Sequence, residues 1–228
     1  MRRQASRLLG RAANSASRAS QRLASDGLGL GGDRTVEWSF CMARLGDGPG
    51  STLDFGAGSA PMSLCAAQRG HEVVALDRLA LDRDYAHERI EFVRADILDR
   101  PLEGRRFDQI INCSSVEHVG LAGRYGSSDS PDGDLEAMEI LRSLLAPQGR
   151  MILTVPVGRD MVCAPLHRIY GRTRLPRLLA SYGKVEEQYW RKDARQGWVQ
   201  TEPETALETQ GSESFYSVGL FVAVPSGS

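Results

Sequence analysis

The sequence predicts one α/β domain built on a mostly parallel sheet, with helices on both faces. The chain has 228 residues, enough for one domain with a properly buried core. Apolar residues make up 41% and charged residues 25%, which is typical of a globular protein. From about residue 50, short apolar runs alternate with helical patterns, and this alternation is typical of βαβ units on a parallel sheet.

Seven segments are predicted as strands, and together they predict a seven-stranded sheet. They cover residues 52–55, 72–76, 90–94, 107–112, 150–155, 184–190 and 217–224. The last run is apolar enough for an inner strand, and we expect that strand to run antiparallel. Helices are predicted over 35–45, 60–69 and 134–145.

The first 32 residues differ in composition from the rest and are predicted to be an arm and linker, followed by a domain over 33–228. Residues 1–25 are rich in Arg, Ser and Ala, and six arginines precede the first acidic residue, Asp26. Three interpretations fit this segment: a flexible or loosely helical arm, an organelle transit peptide, or a basic helix on a membrane surface. The Gly-rich stretch 26–33 predicts a linker.

Charge and cysteine usage narrow the function classes. The net charge is −1, so the part that follows the basic arm is acidic, which argues against a nucleic-acid partner. Cys41, Cys65, Cys113 and Cys163 form no C-x-x-C pair, which favours reduced thiols and a cytoplasmic location. No window approaches the roughly 18 consecutive apolar residues of a membrane span. Membrane-surface association or organelle targeting through the arm stays open, and the sequence does not fix the oligomeric state.

A glycine-rich turn follows the first predicted strand. Gly56 and Gly58 allow a ligand to approach the backbone closely, next to the N-terminus of the following helix. Asp77 ends the second strand about 20 residues later, where a carboxylate can accept hydrogen bonds from both hydroxyls of a ribose. Asp96 follows the third strand at the same edge of the sheet. Pro61 stands where a dinucleotide fingerprint has Gly or Ala, so the turn disfavours NAD.

Over about residues 50–156 the sequence resembles the class I S-adenosylmethionine-dependent methyltransferases, which have a Rossmann-like fold. The resemblance is carried by Asp54 with Gly56 and Gly58, by the Glu117-His118 pair after the fourth strand, and by the helix-to-strand turn over 142–150. It implies S-adenosyl-L-methionine as the cofactor. Together with Glu37-Trp38 and residues 123–126, 132–134 and 167–171, these motifs more narrowly resemble an uncharacterised methyltransferase-like family associated with bacterial surface-polysaccharide clusters.

The same resemblance implies roles for individual residues. Gly56 and Gly58 would pass the methionine part of the cofactor, Asp77 would hold the ribose, and Asp96 with Ile97 would bind the adenine edge. Asp54 would shape the turn or contact the amino group of the cofactor. The alternatives are a strand-end cap for Asp77 and a surface carboxylate for Asp96, with Asp99 as its rival.

The residues that would bind the methyl acceptor are predicted from their positions relative to the predicted strands. Methyl transfer needs alignment of acceptor and methyl group, and a hydroxyl acceptor also needs a base. His118 and His167 follow the fourth and fifth strands, where they face the crevice, so either could be the base or a packing residue. Arg168 could hold an anionic acceptor, and Tyr125 and Tyr170 could line its pocket; an exposed arginine and core-edge aromatics are the alternatives.

No metal site is expected. Asp129, Asp132 and Asp134 lie in one loop, but their spacing fits a divalent-ion loop poorly and the later Glu of a calcium hand is missing. Asp132 or Asp134 is predicted to cap the helix that follows.

The favoured function is therefore an S-adenosylmethionine-dependent methyltransferase acting on the oxygen of a small or sugar-like acceptor, which could be an anionic glycan. A non-catalytic, cofactor-binding partner subunit is the alternative in another class. A nucleotide-dependent oxidoreductase is a third alternative that Pro61 disfavours.

Overall fold

The computed structural model describes residues 32–59, 61–80, 86–123, 125 and 129–226. Within these ranges the strands are β1 (Gly50–Phe55), β2 (His71–Asp77), β3 (Ile90–Arg94), β4 (Phe107–Cys113), β5 (Leu145–Val157), β6 (Met161–Cys163), β7 (His167–Ile169), β8 (Tyr182–Asp193), β9 (Gly197–Thr201) and β10 (Ser217–Pro225). The α-helices are α1 (Arg34–Arg44), α2 (Pro61–Gln68), α3 (Gly133–Leu144), α4 (Arg174–Leu178) and α5 (Pro203–Leu207), with 3₁₀ turns at Ile97–Asp99 and Val116–His118. The predicted arm lies outside the described residues, apart from Gly32.

Eight strands form the main sheet, in the order β3-β2-β1-β4-β5-β10-β8-β9. The first five are parallel to one another, whereas β10 runs antiparallel to both β5 and β8. The predicted antiparallel, inner last strand is thus confirmed, but the prediction of seven strands was wrong by one. The missed strand is β9, which pairs only with β8 at the sheet edge and has no buried residue, so it lacks the apolar pattern that predicts a strand.

The predicted placement of helices on both faces is confirmed by two apolar clusters, one on each side of the sheet. Ile111 and Ile152 pack with Phe40 of α1 and Met62 of α2. Their chain neighbours Ile110 and Leu153 point the other way and pack with Met138 and Leu141 of α3. Because successive side chains of a strand alternate between faces, strands buried on both sides read as continuous apolar runs, which is why the central strands were recognisable.

The order of the strands reverses between β1 and β4, since β2 and β3 lie on one side of this pair and β5 on the other. In an open α/β sheet, the crevice outside the carboxyl ends of the strands at such a switch point is where ligands bind. The glycine turn follows β1 at this point, and residues 114–118 follow β4 beside it.

A small antiparallel hairpin of β6 and β7 lies outside the main sheet. Its strands have three residues each, too short for a recognisable alternation. The hairpin returns the chain to the end of β5, where Val157 bridges Tyr170. It also contacts the 3₁₀ turn Val116–His118, and so brings His167 near His118.

The four cysteines are free thiols. None of the described helices is long and apolar enough to cross a membrane.

Candidate functional site

The glycine turn after β1 is held by backbone bonds and leaves open space on one side. The amides of Gly56 and Ala57 donate to the carbonyl of Leu76 at 2.8 and 3.2 Å, which ties the turn to β2. Gly56 and Gly58 have φ angles of +70° and +56°, which side chains rarely adopt. A Cβ at Gly56 would collide with Ser115, whereas a Cβ at Gly58 would come no closer than 4.0 Å to another atom, the carbonyl oxygen of Gly56. The surface above Gly58 is therefore open to a ligand.

Asp77 joins the glycine turn to the end of β2. Its Oδ2 accepts the amide of Gly58 at 2.9 Å, and its Oδ1 accepts the amide of Leu79 at 2.8 Å. A carboxylate has about four acceptor positions, so each oxygen keeps one for a further donor. Asp77 is thus a strand-end cap that also fixes the turn, and it retains capacity for a hydroxyl.

Asp96 follows β3 at the same edge of the sheet. Its Oδ1 accepts the amide of Leu98 at 3.0 Å and its Oδ2 pairs with Arg78 at 2.5 Å, so that Arg78 links the ends of β2 and β3. Ile97 is buried behind it. Asp99, the sequence rival of Asp96, is exposed within the 3₁₀ turn.

Asp54 lies beneath the glycine turn, 3% exposed, and accepts the hydroxyl of Ser63 at 2.6 Å. Burial raises the pKa of Asp54 to about 6, against the lowering effect of the Ser63 bonds. The bond connects β1 to α2, the two elements on either side of the glycine turn.

A second buried carboxylate was not predicted as a site residue. Glu37 of α1 is fully buried and accepts the hydroxyl of Ser114, the hydroxyl of Thr154 at 2.8 Å and a guanidinium nitrogen of Arg34 at 3.0 Å. Burial raises the pKa of Glu37, and Arg34 opposes this effect. Ser114 has a φ of +48°, a strained conformation for a residue with a side chain, directly after β4. Only the Glu37-Trp38 motif could have pointed to this residue.

The Glu117-His118 pair lies in the 3₁₀ turn after β4. Glu117 is 1% exposed, and its Oε1 is 3.7 Å from Nε2 of His118. Nδ1 of His118 lies 2.5 Å from the carbonyl oxygen of Leu166, which precedes β7. Burial raises the pKa of Glu117 to about 8, and the nearby Glu37 adds to the shift.

The structure brings the two predicted histidines together in a row of aromatic rings. The ring of His118 is 5.2 Å from that of Tyr125 and 6.4 Å from that of His167, centroid to centroid. His167 in turn lies 5.3 Å from Tyr216, whose hydroxyl donates to Asp33 at 2.6 Å. All three contacts are edge-to-face, a favourable geometry for aromatic rings. Tyr216 was missed because it lies 49 residues beyond His167 in sequence.

Arg168 and Tyr170 are placed differently from their predicted roles at the acceptor. Arg168 is 1% exposed, and its guanidinium donates to the carbonyls of Val119, Ser130, Pro131 and Glu117 at 2.6, 3.1, 3.3 and 3.4 Å. Tyr170 is fully buried and donates to Asp134 at 3.1 Å. Both are buried and already bonded, so this placement does not support an anion clamp at Arg168 or a pocket wall at Tyr170.

Asp134 is a buried ion-pair partner, which corrects the prediction that it could cap α3. Its oxygens pair with Arg174 at 2.5 and 2.9 Å and lie 3.6 Å from Nε of Arg168. Asp132, the other residue predicted there, does occupy the cap position; its side chain makes no cap bond and pairs with Arg174 and Arg177.

Three solved structures share the fold. The 1,6-didemethyltoxoflavin-N1-methyltransferase of Burkholderia thailandensis, with bound 1,6-didemethyltoxoflavin and S-adenosylhomocysteine, is 20% identical over 99% of this chain and 90% of its own, with a TM-score of 0.62. A TehB-like SAM-dependent methyltransferase from Corynebacterium glutamicum is 17% identical over 93% of this chain and 97% of its own, with a TM-score of 0.56. The N-methyltransferase NodS of Bradyrhizobium japonicum, in complex with S-adenosylhomocysteine, is 16% identical over 91% of this chain and 96% of its own, with a TM-score of 0.55.

The predicted Rossmann-like methyltransferase fold is thereby confirmed. No curated protein matches the sequence. A family profile described as "Caenorhabditis protein of unknown function, DUF268" matches residues 66–208, which is more than half of the chain. The chain belongs to this family, and its domain has the fold of the class I S-adenosylmethionine-dependent methyltransferases.

Proposed function

We propose that this protein is an S-adenosylmethionine-dependent methyltransferase that methylates a hydroxyl oxygen of a small or sugar-like acceptor. The observation that carries the proposal is the bond from the Gly58 amide to Asp77, because it places an open glycine turn and a carboxylate together at the switch point of the sheet. The sugar-like acceptor is supported by the sequence resemblance to the surface-polysaccharide family alone.

The residues at the crevice fit this cofactor. The open side of Gly58 admits the methionine part, and the remaining acceptor positions of Asp77 suit the two ribose hydroxyls. Asp96 with Ile97 would bind the adenine edge. The solved neighbours crystallised with S-adenosylhomocysteine support this assignment.

The acceptor would lie against the row of rings formed by Tyr125, His118, His167 and Tyr216. When bound, the cofactor supplies an electrophilic methyl group on a sulfonium. The chain must orient the acceptor, keep water out and take the proton of its hydroxyl. His118 and His167 are the candidate bases, since an imidazole titrates in the right range. Because Arg168 is buried, we do not propose that the acceptor is anionic.

Two experiments test the proposal. In calorimetry the full chain should bind S-adenosylmethionine and not NAD, which separates a methyltransferase from an oxidoreductase. In a screen of hydroxyl-bearing acceptors, including mono- and oligosaccharides, a substrate should drive formation of S-adenosylhomocysteine. Binding without turnover on every acceptor would favour the partner-subunit alternative, and binding of NAD alone would overturn the proposal.

Variants then locate the base. His118→Ala and His167→Ala should each keep cofactor binding, and at least one should lose about a hundredfold or more in turnover. His87→Ala is the matched control, because His87 precedes β3 and its ring accepts the amide of Arg89, away from the crevice residues. Wild-type turnover in both site variants would remove the histidines from the mechanism.

A further inference from the structure

Glu117 is a buried acid whose environment does not suit a permanent charge. Its side chain is 1% exposed, and its Oε2 has no hydrogen-bond partner within the described part of the chain. An ionised carboxylate in such a place is costly, since the bond from its own backbone amide and the attraction of Arg34 only partly offset the lost water. Glu37, by contrast, accepts three donors. The difference indicates that Glu117 carries a proton for part of its working cycle.

The contact of His118 with the β6–β7 hairpin fixes which ring nitrogen can take a proton. Nδ1 lies 2.5 Å from the carbonyl oxygen of Leu166, and a carbonyl can only accept, so Nδ1 carries hydrogen. In the neutral ring the lone pair is then on Nε2. This nitrogen is the one that faces Glu117, 3.7 Å from Oε1.

The turn that carries both residues is held from the same hairpin. Arg168 donates to the carbonyls of Glu117 and Val119, on either side of His118. Leu166 and Arg168 thus fix the ring and the backbone of this turn together. The separation of 3.7 Å is longer than a hydrogen bond, but such contacts tighten when a substrate closes a site.

We propose that Glu117 is the positioning residue for His118, and that its carboxyl group and Nε2 of His118 share one proton and titrate as a pair. The inference rests on the proposed function. In the reaction, the acceptor oxygen forms a bond to the methyl carbon, the carbon–sulfur bond breaks with its electron pair going to sulfur, and the hydroxyl proton passes to Nε2. The Glu117 carboxylate then faces an imidazolium, which it stabilises.

The charged groups around Glu117 determine the pH at which the Glu117–His118 pair loses its shared proton. Asp33, directly before α1, and Arg34 and Glu37 of α1 face Glu117 from one side. The other groups that face it are His118 in its own turn, Tyr170 after β7 and Tyr216 before β10. Burial, with Glu37, raises the pKa of Glu117 to about 8, while the bond from its own backbone amide and the charge of Arg34 oppose the rise. The apparent values belong to the pair. Below the apparent pKa of the pair, Glu117 and His118 hold their shared proton. Turnover should therefore rise as pH rises through that pKa.

The test compares Glu117→Gln with Glu103→Gln, the same substitution at an exposed residue. Glu117→Gln should bind S-adenosylmethionine like the wild type but lose about tenfold to a hundredfold in kcat. The rising limb of kcat against pH, measured from pH 5.5 to 9.5, should move about one unit lower, because the imidazolium loses its neighbouring negative charge. Glu103→Gln should change neither quantity. A loss of kcat without a displaced limb would overturn the pairing.

A second measurement needs no acceptor. In the wild type, the ¹⁵N shifts of the His118 ring should show the Nδ1–H form, and its titration midpoint should be lower in Glu117→Gln. An unchanged midpoint would overturn the proposal. A lowered midpoint in a protein that methylates no acceptor would support the pair and count against the proposed function.

Discussion

A substitution of Arg168 tests whether this residue stabilises the fold or binds the acceptor. We expect Arg168→Met to destabilise the domain, because Met keeps much of the apolar stem while the carbonyls of Val119 and Ser130, at 2.6 and 3.1 Å, lose a charged donor. Two such bonds at about 1.5 kcal/mol each give about 3 kcal/mol, and the unpaired buried groups raise the loss to about 3 to 5 kcal/mol.

The assay is urea unfolding followed by circular dichroism, with linear extrapolation to water. Arg172→Met is the matched control, since Arg172 is 57% exposed and pairs with Glu208 on the surface. This control should lose no more than about 1 kcal/mol. If Arg168→Met is as stable as the control and instead has a raised KM for the acceptor, Arg168 is a substrate clamp and its structural assignment is wrong.

Two further predictions concern the glycine turn and the carboxylate beneath it. Gly58→Val should weaken cofactor binding at least a hundredfold while remaining folded, because the side chain fills the open face of the turn. Gly104→Val is the control, at a positive φ with nothing within 4 Å, and should bind the cofactor normally. Calorimetry compares the two variants, and equal affinities would place the cofactor elsewhere. Asp54→Asn should be about 2 kcal/mol less destabilising at pH 8 than at pH 4.5. Because the pKa of Asp54 is raised from 3.8 to about 6 in the folded state, the neutral acid favours folding at low pH, and this stability is lost as pH rises through 6. A pH-independent difference between the unfolding free energies of variant and wild type in urea would contradict this.

Local patterns were enough to predict much of the fold. The strands β1 to β4 and the turn at Gly56 and Gly58 each leave a signature in a few consecutive residues, so their positions along the chain were predictable. The strands β6, β7 and β9 have no such pattern, because β6 and β7 are only three residues long and β9 has no buried residue.

The candidate site was only partly predictable, because several of its contacts join distant segments. Glu37 reaches Ser114 and Thr154 across 77 and 117 residues, and no local motif reveals such a contact. Arg168 was predicted to bind the acceptor because it adjoins His167, yet four carbonyls surround it. His71 is likewise buried, between Thr52 and the carbonyl of Gly46, although nothing in the local sequence pattern indicates it.

The central claim is that S-adenosylmethionine binds over the glycine turn with its ribose on Asp77. Calorimetric titration of the wild type, Asp77→Ala and Asp99→Ala tests it most directly, since Asp99 is a nearby exposed carboxylate outside the glycine turn. Asp77→Ala removes a charge-assisted contact and should weaken binding by about 1.5 to 3 kcal/mol, which is about tenfold to a hundredfold, while Asp99→Ala should bind like the wild type. Equal affinity of all three proteins, or no binding by the wild type, would contradict the claim.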